Sequence, residues 1–145
     1  MARLMPESVT QIGFVCVQNA GRSQMSTAFA ERERDRREID GQVEIVTVGT
    51  HPAEEVHDEV IQTMSELGID LSDRQPRKIS DEELNECDVV ATMGCSTLAL
   101  EADVDVRDWA LADPDGQDPD RVREIRDEVQ GRVQALFDEL FGSIE

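Results

Sequence analysis

Aromatic residues and long apolar runs are scarce in this chain. Its 145 residues include no tyrosine, one tryptophan and four phenylalanines. No apolar run reaches the roughly 18 residues that a membrane-spanning helix needs. No long apolar segment follows Arg3, as one would in a signal peptide. We therefore expect a cytoplasmic protein that does not bind a membrane. The length predicts one domain over residues 1–145.

Cysteine and histidine are equally scarce. The three cysteines, Cys16, Cys87 and Cys95, are an odd number and contain no CxxC pair, which argues against a disulfide framework and against a structural zinc site. The two histidines, His51 and His57, lie six residues apart across a proline-containing segment, which is poor spacing for metal ligands. The sequence predicts no metal and no organic cofactor.

Positive charge is limited, and lysine is nearly absent. Acidic residues outnumber basic ones by 33 to 14, for a net charge of −19, and Lys78 is the sole lysine. A nucleic-acid partner requires a basic surface, so this balance argues against nucleic-acid binding and against docking on an anionic membrane. An acid-rich, lysine-poor chain is typical of a halophilic cytoplasm, where salt screens the self-repulsion.

The hydrophobic pattern alternates between strand-like and helix-like segments. Strands are predicted at 11–17, 43–48, 88–93 and 104–109. Helices are predicted from Ser23, over 56–67 with Gly68 as the stop, after a capping box at Ser80–Glu83, and from Asp118–Pro119 to Leu140. This order indicates an α/β sandwich around a mainly parallel sheet, whose ligands bind at the carboxyl ends of the strands.

The first predicted strand runs into a C-x5-R-S segment, Cys16 to Ser23, that leads into a helix. Backbone N–H groups in such a loop can surround a tetrahedral oxyanion, and the helix N-terminus adds its dipole. Arg22 can hold two anion oxygens, and Ser23 can cap the helix and hydrogen-bond the Cys16 sulfur. The inward N–H groups, the positive end of the helix and Arg22 favour the Cys16 thiolate. The predicted oxyanion-binding residues are Val17, Gln18, Asn19, Ala20, Gly21, Arg22 and Ser23. The alternative is a buried cysteine beside a surface arginine, whereas a nucleotide P-loop is excluded because G-x-x-x-x-G-K-[ST] is absent.

A thiolate that attacks phosphorus or arsenic needs an acid for the departing oxygen. Asp113 is the candidate, because it follows the fourth predicted strand, and Pro114 stiffens its loop. The simpler interpretation of Asp113–Pro114 is an Asx-type turn.

Five segments, in this order, resemble the low-molecular-weight protein tyrosine phosphatase superfamily and, within it, the arsenate reductases of the same fold. They are Cys16–Ser23, Gly49–Ala53, Met64–Asp70, Asp88–Cys95 and Asp108–Gly116. The resemblance implies a three-layer sandwich with a four-stranded parallel sheet. It also implies that Cys16 is the nucleophile, Arg22 the oxyanion clamp, Ser23 a thiolate stabiliser and Asp113 the general acid. Two positions depart from the family pattern: Gln18 replaces a usual glycine, and Gly21 replaces a frequent second cysteine.

The resemblance leaves open whether the chain is similar to the phosphatases or to the arsenate reductases of this fold, and Cys95 bears on that choice. Cys95 stands where look-alike reductases carry the thiol that attacks the nucleophile and releases arsenite, with a thioredoxin-like protein or a low-mass thiol as the reductant. The reductase interpretation therefore names Cys16, Arg22, Asp113 and Cys95 as catalytic, whereas Cys87 precedes the third strand and is interpreted as structural.

The scarcity of aromatic residues favours a small inorganic oxyanion, arsenate or phosphate, over an aryl ester, although Trp109 could line the pocket. The enzymatic alternative is a tyrosine or small-ester phosphatase with a phospho-cysteine intermediate. The alternative from another class is a non-catalytic oxyanion sensor.

Overall fold

The computed structural model describes residues 9–16, 21–49, 52–78, 81–93, 105–109, 111–112, 114 and 116–142. The strands are β1 (Thr10–Cys16), β2 (Val43–Gly49), β3 (Val89–Met93) and β4 (Asp105–Asp108). The helices are α1 (Arg22–Arg36), α2 (Asp58–Ser65), α3 (Asp81–Asn85) and α4 (Pro119–Phe141), with a 3-10 turn at Asp40–Gln42. The described part of the chain therefore contains the predicted alternation of strands and helices.

The four strands form one parallel sheet in the order β2-β1-β3-β4. The register pairs Cys16 with Gly49 on one side and with Met93 on the other. Thr92 pairs with Asp108 on β4. All four carboxyl ends thus lie along one edge, with Cys16 near its middle. The prediction of an α/β fold with a four-stranded parallel sheet is confirmed.

The alternation of side chains along β1 divides the core between the two faces of the sheet. Ile12, Phe14 and Cys16 belong to the larger cluster. That cluster also holds buried side chains of three helices: Met25 and Phe29 of α1, Val60 and Met64 of α2, and Val129, Val133 and Phe137 of α4. Val15 points to the other face and packs in a smaller cluster with Leu84 of α3. Helices therefore cover both faces, as a three-layer sandwich requires.

Helix α4 follows its sequence signals closely. The Asp118 carboxylate accepts a hydrogen bond from the Arg121 backbone N–H at 2.9 Å, and Pro119 occupies the first turn. The helix ends before Gly142, whose φ of 88° favours glycine. The apolar side chains on one side of the helix are buried, most of them in the core cluster with α1, α2 and the sheet: Val122, Ile125, Val129, Val133, Leu136 and Phe137.

Helix α2 is shorter than predicted, because it begins at Asp58 after an extended His57. Its last turn is bound to α4. Arg126 donates to the Thr63 carbonyl at 2.9 Å and to Glu66, and Arg123 also bonds the Glu66 carboxylate. Hydrogen bonds from Arg123 and Arg126 lower the pKa of Glu66 to about 2. Helix α2 is therefore held in place beside the carboxyl edge of the sheet.

Within the described residues, no helix is both long enough and apolar enough to cross a bilayer.

Candidate functional site

Cys16 is the last residue of β1 and lies at the carboxyl edge of the sheet. It is almost fully buried, with 2% of its surface exposed, and its sulfur is not in a disulfide. Because its neighbours Gly49 and Met93 belong to the two adjacent strands, the sheet fixes the position of its backbone from both sides.

Helix α1 starts at Arg22, one residue earlier than predicted. Its N-cap position is Gly21, and no described side chain caps the helix, so the prediction that Ser23 caps it is wrong. Ser23 lies instead in the first turn, where its Oγ is 2.9 Å from the Cys16 Sγ. The Ser23 hydroxyl is thus placed to donate to a Cys16 thiolate, and no acidic residue occupies that turn to repel an anion.

Arg22 is buried, with 8% of its surface exposed. Its Nη1 donates a 3.0 Å hydrogen bond to the carbonyl oxygen of Leu111, beyond β4. The guanidinium has five N–H donors in a planar fork, so a bond to the backbone is compatible with a two-point grip on an anion. Arg22 therefore connects the Cys16 loop to the segment that carries Asp113.

Gly21 makes a second connection to that segment. An ideal Cβ built on Gly21 would lie only 2.9 Å from Cγ of Pro114 and 3.8 Å from Cδ2 of His57. Pro114 therefore occupies the space that a side chain at position 21 would need. The described residues Leu111 and Pro114, on either side of Asp113, thus contact Arg22 and Gly21.

Several predicted site residues lie outside the described part of the chain. They are Val17, Gln18, Asn19, Ala20, Asp113 and Cys95, as well as His51. Their roles stay predictions. The structure brings together Cys16, Gly21, Arg22 and Ser23, and it places the neighbours of Asp113 beside them.

Two other residues that the sequence singled out, Cys87 and Trp109, are buried. Cys87 is buried just before β3, at the opposite edge of the sheet, in the cluster with Val15 and Leu84. Trp109 is 7% exposed, packs on Phe14 with ring centroids 6.0 Å apart, and lines a groove between β4 and α4. Among the described residues, no group of three or more histidine, cysteine or acidic side chains could hold a metal ion.

No sequence signal indicated the contribution of α2. In the sequence His57 is considered only as a poorly spaced metal ligand, whereas its ring lies next to Gly21 in the structure. Glu59, two residues further on, accepts a 3.3 Å hydrogen bond from the Gly116 backbone N–H. The predicted helix over 56–67 contains both His57 and Glu59, and no motif in it indicated a contact with the residues around Cys16 or Asp113.

Gly21→Ala is expected to lower the turnover number of any reaction at Cys16 about tenfold. A shift of about 1 Å in the position of a catalytic group can lower the rate by up to about 10²-fold. The new methyl group would press on the rigid ring of Pro114 and displace the segment that carries Asp113. Gly131→Ala is the matched control, since a Cβ at Gly131 in α4 meets nothing within 4 Å. Steady-state kinetics of the two variants check this, and equal rates would contradict it.

Cys16 is thus a buried cysteine at the end of a parallel strand, with the Ser23 hydroxyl at its sulfur and the buried Arg22 next to Ser23 in the chain. The sequence matches the low-molecular-weight phosphotyrosine protein phosphatase family over residues 11–143. The chain belongs to this family, as the resemblance implied.

Individual relatives are named as arsenate reductases. A Halobacterium salinarum protein named "Putative arsenate reductase" is 66% identical over 92% of this chain and 94% of its own length. A glutaredoxin arsenate reductase from Synechocystis is 32% identical over 88% of this chain and 95% of its own. The solved structure of a Corynebacterium glutamicum thioredoxin-dependent arsenate reductase superposes with a TM-score of 0.78 at 32% identity, covering 94% of this chain and 64% of that one. The Halobacterium origin of the first relative fits the halophilic composition.

Proposed function

We propose that this protein is a thiol-dependent arsenate reductase. The observation that carries the proposal is the contact between the Cys16 sulfur and the Ser23 hydroxyl at the start of α1, beside the buried Arg22. That arrangement suits a nucleophile beneath a bound tetrahedral oxyanion. The similarity to relatives named arsenate reductases favours arsenate over a phosphate ester as the substrate.

Binding is the first step of this mechanism. The arsenate dianion enters the loop after β1 and accepts hydrogen bonds from backbone N–H groups of residues 17–23 and from the Arg22 guanidinium. The positive end of the α1 dipole adds to the attraction. Because the chain carries a net charge of −19, these local donors must overcome an unfavourable overall field.

The second step forms a covalent adduct. The Cys16 thiolate attacks arsenic and a sulfur–arsenic bond forms. One arsenic–oxygen bond breaks, and the oxygen leaves as water after Asp113 donates a proton. The Ser23 hydroxyl holds the thiolate before the attack.

The third step reduces arsenic. The thiolate of Cys95, or of an external thiol, attacks the Cys16 sulfur and forms a disulfide. The sulfur–arsenic electron pair stays with arsenic, which leaves as arsenite, so arsenic gains the two electrons that the two thiols lose. A thioredoxin-like protein or a low-mass thiol then reduces the disulfide in the cytoplasm. No resident cofactor takes part in this scheme.

A single-turnover experiment tests the proposal. One equivalent of arsenate is added to the fully reduced protein in molar salt without a reductant, and disulfides are mapped by peptide mass analysis. We expect stoichiometric arsenite and a Cys16–Cys95 bridge. Arsenite that appears only after a small thiol is added would indicate an external resolving thiol. If no arsenite appears under either condition while a phosphate ester is hydrolysed, the protein is a phosphatase. Oxyanion binding without any turnover would indicate a sensor.

Cys95→Ser is expected to stop arsenite release in that experiment and to abolish the disulfide, because a serine side chain has no sulfur with which to form one. Any hydrolysis of an aryl phosphate by the unaltered protein should persist within about twofold, since water rather than a thiol resolves a phospho-cysteine. The matched control is Cys87→Ser, which removes a buried thiol at the far edge of the sheet. Unchanged arsenite release by Cys95→Ser would exclude Cys95 as the resolving thiol.

A further inference from the structure

Three described residues around Asp113, namely Leu111, Pro114 and Gly116, each contact another part of the fold. Arg22 binds the Leu111 carbonyl, Pro114 packs at Gly21, and the Gly116 N–H donates to the Glu59 carboxylate. The first two contacts come from the Cys16 loop itself. The third comes from α2, an element to which the proposed chemistry assigns no role.

We propose that the N-terminal end of α2, with His57 at the N-cap position and Glu59 in the first turn, is a clasp that positions Asp113 for proton donation. This inference rests on the proposed function, because it assigns a positioning role for the acid of that reaction. Glu59 fixes the chain three residues after Asp113 through Gly116, and the His57 ring stands beside Gly21 where Pro114 meets it.

Helix α2, which carries the clasp, is anchored in the core and to α4. Helix α2 is only eight residues long, yet Val60 and Met64 are fully buried in the main core cluster. Its last turn is bound to α4 by the hydrogen bonds from Arg126 to Thr63 and Glu66. This helix is anchored at its far end and along its apolar face. Because close-packed interiors deform little, its first turn can hold a loop in place.

The clasp acts on the acid rather than on anion binding. The oxyanion is held by the residues after Cys16 and by Arg22, none of which needs Glu59 for its described contacts. Loss of the clasp should therefore lower the rate of the chemical step and leave substrate binding intact. A lower kcat with an unchanged KM is the result expected when an interaction made only in the transition state is removed.

Glu59→Ala tests the positioning role. Because general acid catalysis is worth about 10²–10⁴-fold, we expect partial misplacement of the acid to lower kcat about tenfold, with KM for arsenate within about twofold. Glu59→Gln should recover kcat to within about threefold, since its amide oxygen can accept the Gly116 N–H. His57→Ala should lower kcat in the same direction. Glu55→Ala is the control, because it removes an exposed carboxylate just before α2.

Hydrogen exchange of the Gly116 amide gives a readout that does not depend on activity. Exchange should be at least about tenfold faster in Glu59→Ala than in Glu59→Gln or Glu55→Ala, because the amide loses its acceptor. The proposal is overturned if Glu59→Ala changes neither kcat nor exchange, if only KM changes, or if Glu55→Ala lowers kcat equally. If the unaltered protein reduces no arsenate, the proposed function fails, and the exchange rates alone decide whether the clasp exists.

Discussion

Cys16→Ser is expected to lower arsenate reduction by at least about 10⁴-fold, the scale on which loss of a catalytic nucleophile acts in other enzymes. The serine hydroxyl is a much weaker nucleophile than a thiolate, and its oxygen cannot form the disulfide that releases arsenite. The fold should survive, because the change replaces one small side chain at the end of a central strand. Arsenite formation under single-turnover conditions measures the effect.

Cys87→Ser is the matched control for that variant. Both cysteines are buried and neither is in a disulfide, but Cys87 lies at the opposite edge of the sheet, in the smaller core cluster. We expect Cys87→Ser to lower stability by about 1 kcal/mol, because a hydroxyl enters an apolar cluster, and to leave turnover unchanged. If Cys16→Ser retained more than about a hundredth of the rate, another group would have to be the nucleophile.

The regular elements could be predicted because each one carries its own local signal. Strand β1 is a continuous apolar run in the middle of a sheet, and α4 has a cap, a proline and a complete apolar stripe. Their observed bounds differ from the predicted ones by one or two residues. The position of Cys16 at the carboxyl edge could be predicted from this pattern. In a strand–loop–helix unit of a parallel sheet, the loop that follows the strand lies at the carboxyl edge.

The contacts that shape the surroundings of the site could not be predicted in this way. The bond from Arg22 to Leu111 spans 89 positions, and the bond from Gly116 to Glu59 spans 57. Neither pair has a periodicity or a motif that links its members, since the pairing depends on how the helices pack on the sheet. Ser23 shows the same limit on a smaller scale: its type permits both a cap and a bond to sulfur, and because α1 starts at Arg22 only the second is formed.

The preference for arginine over lysine has a structural counterpart. Arg22, Arg37 and Arg126 have little exposed side-chain surface, and each donates to a backbone carbonyl: Leu111, Gly142 and Thr63 respectively. Arg37 and Arg126 also bind carboxylates. A guanidinium can serve a carbonyl and an anion at the same time, whereas an ammonium is a single strongly hydrated point charge. At these three interior positions a lysine could not make the same pair of contacts.

Arg22→Lys is the strictest test of this difference at the site. We expect kcat/KM for arsenate to fall by at least about 10²–10³-fold, the range seen when one donor to a developing oxyanion is removed. Lysine keeps the positive charge but loses the planar fork, so it cannot bind the Leu111 carbonyl and grip two anion oxygens at once. Because lysine keeps the positive charge, any loss of kcat/KM measures the contribution of the guanidinium geometry.

Arg132→Lys is the matched control, because Arg132 lies on the exposed side of α4, where it forms a long ion pair of 3.6 Å with Glu128. Its kinetics should equal those of the unaltered protein. Protection of Cys16 from alkylation by added arsenate separates binding from chemistry: protection should weaken in Arg22→Lys and persist in Arg132→Lys. Full protection together with an unchanged kcat/KM in Arg22→Lys would show that charge alone suffices, and the two-point grip assigned to Arg22 would be wrong.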